Sequence, residues 1–96
     1  MRQTYVVSYD VSHPKRLRKV FRLMRGYGDP IQLSVFRCEL SRRELVELRA
    51  ALGAIIHHGE DQVLFVDVGP AEGQTVGAFA SLGRPYFHPE RIAIVV

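Results

Sequence analysis

Asp10 stands at the end of an apolar, β-branched run, Thr4-Tyr5-Val6-Val7-Ser8-Tyr9, and just before a helix-start signal, Ser12-His13-Pro14. A carboxylate in that position is a candidate ligand for Mg²⁺, which commonly takes one or two carboxylates and completes its shell with water and substrate phosphates. One carboxylate is a poor site by itself. A two-fold axis close to Asp10 would bring a second copy beside it and give an open site shared by two protomers. The plain alternative is an Asx-turn residue. Immediately downstream lie Lys15, Arg16, Arg18, Lys19, Arg22 and Arg25, with no acid among residues 15–25. Like charges on one helix repel, and phosphates would neutralise them. Arg42 and Arg43 extend the basic set. Such contacts hold a nucleic-acid backbone without reading its sequence and weaken with salt. The competing reading is a solvated helix face.

Other chemistry-bearing residues carry less. Arg25-Gly26-Tyr27-Gly28 opens like the RNA-recognition RNP1 motif, but Asp29 stands where an aromatic is required, and the segment closes a helix. His57 and His58 are adjacent, so their side chains diverge, and no Cys or His flanks them at zinc spacing. They fit a polar helix terminus. Ser12 or His13 caps the helix; His13 and His88 read as surface or capping residues, with a minor reserve for His13 as a general base beside Asp10. Cys38 alternates with Phe36 and Leu40 and reads as core. Asp67 punctuates a strand. No Walker A, GxGxxG or Ser/His/Asp pattern occurs.

The elements that must position these residues follow from periodicity. Thr4–Asp10 is the first strand. A helix from Pro14 to about Arg25 buries Leu17, Val20, Phe21 and Met24, and Gly26 and Gly28 end it. Ile31–Leu40 is extended, but its alternation changes phase: Ile31, Leu33 and Val35 are apolar on one parity, Phe36, Cys38 and Leu40 on the other. One flat strand cannot do this, so the segment is two short strands or one bulged strand bending near Ser34-Val35. Ser41-Arg42-Arg43-Glu44 is a capping box. It starts a second helix, with Leu45, Leu48, Leu52, Ile55 and Ile56 inward, that ends at His57-His58-Gly59. Val63–Val68 is an apolar run expected as a buried strand, broken by Gly69-Pro70. A turn of helix is expected around Thr75–Leu82, and residues 91–96 have strand character and need a sheet edge. The order is βαββαβ plus a C-terminal strand: one α+β domain over residues 1–96, an antiparallel sheet with both helices on one face.

Composition sets the bounds. Ninety-six residues allow one domain with a modest core, which a second protomer would help to stabilise. The net charge of +3 conceals an uneven distribution: residues 1–50 hold 11 Lys/Arg against 5 Asp/Glu, and residues 51–96 hold 2 against 5. Eleven of the 13 basic residues are arginine, the better bidentate partner of phosphate. A single cysteine excludes an intramolecular disulfide framework. No apolar run is long enough to span a bilayer and no signal peptide is recognisable, so a cytoplasmic protein is expected.

Tyr5-Val-Val-Ser-Tyr-Asp10, Arg16-Leu-Arg-Lys-Val-Phe21, Gly28-Asp29-Pro-Ile-Gln32-Leu-Ser34-Val35-Phe36-Arg-Cys38 and Asp61-Gln-Val63, in this order, resemble the CRISPR-associated protein two family, the small partner of the CRISPR spacer integrase. The resemblance implies a ferredoxin-like fold and a homodimer in which the C-terminal strand, about 91–96, extends the partner's sheet. It implies a divalent metal, Mg²⁺, between two copies of Asp10, and nuclease activity on RNA or duplex DNA. It further implies a scaffold role with the integrase during spacer acquisition. Carried over by position, Tyr9 and Asp10 match the strand-end catalytic pair, Ser34 and Phe36 the second block, and Arg16, Arg18 and Lys19 the basic helix. Pro30 departs from the pattern, because the family commonly has arginine there. Rival readings are a purely structural scaffold, a stand-alone toxin-like ribonuclease of the same fold such as the virulence-associated interferases, and a small-molecule regulatory domain, against which the basic helix argues.

Overall fold

The computed structural model describes residues 1–72 and 78–85. Six elements follow the chain: β1 (Gln3–Asp10), α1 (Pro14–Arg25), β2 (Gly28–Gln32), β3 (Val35–Leu40), α2 (Arg42–Ile55) and β4 (Gln62–Pro70). The four strands form one antiparallel sheet in the order β2-β3-β1-β4. The phase change in residues 31–40 is a hairpin, with Leu33 and Ser34 as the turn between β2 and β3. Ser34 is held there by its carbonyl, which accepts from the Tyr9 amide at 3.1 Å.

The helices begin as their end signals dictate. His13 is the N-cap of α1, its ring nitrogen accepting from the Lys15 amide, and Pro14 occupies the first turn. Ser41 and Glu44 complete both halves of the capping box at α2. Gly28 is required where β2 begins, because a Cβ there would collide with the Arg37 carbonyl and the Cys38 side chain. Pro30 is tolerated because β2 is an edge strand.

Both helices cover one face of the sheet. Val7, Phe36, Cys38 and Leu40 from the strands meet Val20, Met24, Leu48 and Leu52 from the helices, all fully or almost fully buried. Burial pushes the Cys38 thiol pKa up to about 12, with Asp29 adding to the rise. The thiol is therefore inert core, as its alternation predicts.

Three expectations change. Leu17 does not join the buried stripe and is exposed. Val63–Val68 is not buried on both faces: Val63 and Phe65 pack on the core, whereas Leu64 and Val66 are 51% and 49% exposed on the face away from the helices. Gly69 and Pro70 do not break β4. The strand runs through them because a register shift between Thr4 and Tyr5 is matched by Gly69 at φ +107, a conformation suited to glycine. The strand expected at residues 91–96 lies outside the described residues, as does part of the turn expected around Thr75–Leu82. No helix among the described residues is long and apolar enough to cross a membrane.

Candidate nucleic-acid and metal site

Asp10 is the last residue of β1 and is exposed. It lies in a cleft of about 620 Å³ formed by Tyr9, Asp10 and Val11, by Leu17, Arg18, Phe21 and Arg22 of α1, and by Leu33 and Ser34 of the hairpin turn. Chain direction explains the convergence. The helix starts where the strand ends, so the first turns of α1 lie beside Asp10. Ser8 pairs with Val35, so the start of β3 and its turn lie on the other side.

The cleft rests on a row of aromatic rings. Tyr9 stacks near Phe36 with centroids 6.2 Å apart, and Phe21 meets Phe36 edge-on at 5.5 Å. Arg25 lies over Phe21 at 5.8 Å. Tyr9 is only 4% exposed, and burial raises its phenol pKa. The phenol stays protonated near neutral pH, so Tyr9 cannot serve there as a ready base.

The predicted residues divide by place. Tyr9, Asp10, Arg18, Arg22 and Ser34 share the cleft. Lys15, Lys19 and Arg25 are exposed on the same helix. Phe36 is beneath the cleft, in the core. Arg42 and Arg43 are at the opposite end of the sheet: α2 follows Leu40, which pairs with Gln3, and Arg43 reaches Glu47 of its own helix at 3.3 Å.

Arg16 is already engaged. Its Nε donates to Asp61 at 2.8 Å, and its Nη2 donates to both Asp61 and Glu60 at 3.2 Å. Asp61 also accepts from the Ser12 amide at 3.0 Å, the Ser12 hydroxyl at 3.2 Å and the His57 amide at 2.8 Å. One carboxylate thus ties the β1–α1 loop, two residues beyond Asp10, to helix α1 and to the turn before β4. The Arg16 hydrogen bond, aided by the two backbone amides, holds the Asp61 carboxyl below the usual carboxylate range. A lowered pKa means the carboxylate's contribution to stability is complete above about pH 4 and is lost as pH falls further. Asp61→Asn is therefore expected to melt on the order of 5 °C below the wild type at pH 7. The gap should narrow on acidification below about pH 4, as followed by circular dichroism.

Among the described residues no group of three or more His, Cys, Asp or Glu side chains is placed to hold a metal ion. Asp10 fits a divalent cation as one carboxylate of an open shell, not as a complete site.

The sequence from residue 3 to 76 matches the family model described as CRISPR associated protein Cas2. The chain is 40% identical over its whole length, and that of its relative, to the CRISPR-associated endoribonuclease Cas2 of Geobacter sulfurreducens. It is 42% identical over 92 residues to CRISPR-associated endoribonuclease Cas2 1 of Rhodospirillum rubrum, covering 96% of this chain and 89% of that one. The crystal structure of Streptococcus pyogenes Cas2 at pH 6.5 superposes with a TM-score of 0.71 at 32% identity, covering 83% of this chain and 99% of that one.

Proposed function

Because the chain belongs to the Cas2 family of CRISPR-associated proteins, we propose that it is a metal-dependent endoribonuclease acting as a homodimer within CRISPR adaptation, alongside the integrase subunit. The observation that carries this reading is the placement of Asp10 in one cleft with Arg18 and Arg22 of α1, a helix that carries six basic residues and no acid. Arg18 and Arg22 bind and offset the charge of a phosphodiester. The exposed Lys15, Lys19 and Arg25 hold the flanking backbone. The Arg16–Asp61 pair fixes the loop that follows Asp10. Asp10 would hold Mg²⁺, together with Asp10 of a second copy, and the bound ion would supply an activated water or charge stabilisation at the phosphate.

The dimer reading draws support from the face of the sheet away from the helices, where Leu64 and Val66 of β4 are half exposed. The two relatives named above are endoribonucleases by name, which favours RNA as substrate. A second reading, a non-catalytic scaffold for the integrase, is favoured by Pro30 in place of the family's usual arginine and by the single carboxylate that each chain contributes.

The test is cleavage of single-stranded RNA and of duplex DNA by purified wild type in Mg²⁺ and in EDTA. Metal-dependent cutting of RNA supports the enzyme, and binding without cutting supports the scaffold. Binding in EDTA should also be salt-sensitive. With about four phosphates neutralised, affinity for a single strand falls roughly 50-fold between about 50 and 200 mM salt. An affinity that barely moves would remove the basic helix as the binding surface.

A further inference from the structure

The cleft around Asp10 is not built like a phosphate site alone. Its wall is largely hydrocarbon, from Leu17, Phe21 and Leu33. Leu33 is 93% exposed at the tip of the hairpin turn, and Leu17 is exposed beside it. Arg18 and Arg22 share the same cleft and bring positive charge to it. Tyr9, also in the wall, has a buried hydroxyl with no hydrogen-bond partner among the described residues. A buried polar group without a partner is costly, and a ligand with a polar edge can relieve it. The volume of about 620 Å³ is within the range of small-molecule pockets, about 300–1,000 Å³.

These features match the parts of a nucleotide. A base is flat and apolar on its faces and polar at its edge, and the phosphate attached to it is anionic. In a duplex the bases are stacked and paired and cannot enter such a cleft, whereas single strands present them freely. We propose that the cleft receives one unstacked base of a single-stranded nucleic acid, packed against Leu17, Phe21 and Leu33, with the adjoining phosphate on Arg18 and Arg22. The inference rests on the nuclease reading of the same site and narrows its ligand to single strands.

The experiment is calorimetric titration, at low salt and in EDTA, with two probes: a thymidine tetranucleotide and the same backbone carrying abasic residues throughout. Wild type is expected to bind the tetranucleotide about tenfold more tightly. Leu33→Ser, a change at an exposed turn, should bring that ratio close to one. Tyr9→Phe should lower the ratio without weakening the abasic strand. Equal binding of both probes by wild type overturns the base cleft and leaves nucleic-acid binding standing. Failure to bind either probe, or any longer RNA, overturns the nuclease reading and this inference with it. If Leu33→Ser leaves the ratio intact but splits a dimer in sedimentation, the wall belongs to an interface between copies and the proposal falls.

Discussion

Asp10→Ala is expected to abolish metal-dependent cleavage of single-stranded RNA, with a loss of at least about 100-fold, while the protein stays folded. The side chain is exposed at the end of β1, so its removal leaves no cavity and melting should shift by no more than a few degrees. Binding should hold or tighten, because a negative charge that shares the cleft with Arg18 and Arg22 is lost. Asp10→Asn keeps the shape and removes the charge, and it should behave like alanine in cleavage. The check is a single-turnover assay on variants prepared identically, with affinity measured in EDTA. Equal cutting by wild type and both variants would point to a contaminating nuclease and to the scaffold reading.

Phe36→Ala should produce the largest loss of stability, about 3–5 kcal/mol by chemical denaturation. Phe36 is fully buried and packs against both the Tyr9 and the Phe21 ring. Truncation leaves a void where three elements meet. Domains of this kind have only about 5–15 kcal/mol in total, so a substantial unfolded fraction at 37 °C is expected. Phe36→Leu keeps most of the volume and should cost about 1–2 kcal/mol. That milder variant separates roles. If Phe36 acts only through packing, Phe36→Leu retains cleavage while folded; a collapse of cleavage with normal melting would assign it a part in the cleft itself.

Much of this architecture was legible in the sequence because local signals agreed with the tertiary packing. The first helix spans Pro14–Arg25, where its proline start and glycine stop put it, and Ser41 and Glu44 cap the second as their spacing predicts. The phase change between Val35 and Phe36 required a turn or a bulge, and it is the turn at Leu33-Ser34 that forms. The apolar run Val63–Val68 misled for a physical reason: continuous apolarity is the signature of a strand covered on both faces, and here Leu64 and Val66 stay half exposed on the face away from the helices. The Gly69-Pro70 pair carried a break signal that a register shift in the neighbouring strand cancels.

In the site, Asp10 and the basic helix were readable as neighbours in the chain. The Arg16–Asp61 clamp was not. Its partners are 45 residues apart and no local rule joins them, although Asp61 stood within a recognisable block. The apolar wall was missed because Leu17 fitted the helical core stripe and Leu33 sat in an ambiguous extended segment.

Pro30 also governs how the sheet can grow. The β2 edge lacks one amide donor at Pro30 and is irregular in register between Pro30 and Gln32. The β4 edge presents nine residues, with proline only at its last position. An incoming strand finds a longer row of donors and acceptors along β4, irregular only near its end at Gly69, than along β2. Edge-to-edge stacking of many copies would need both sides to be receptive. With β2 the poorer acceptor, pairing between copies favours the β4 edge, and Pro30 works against open-ended stacking.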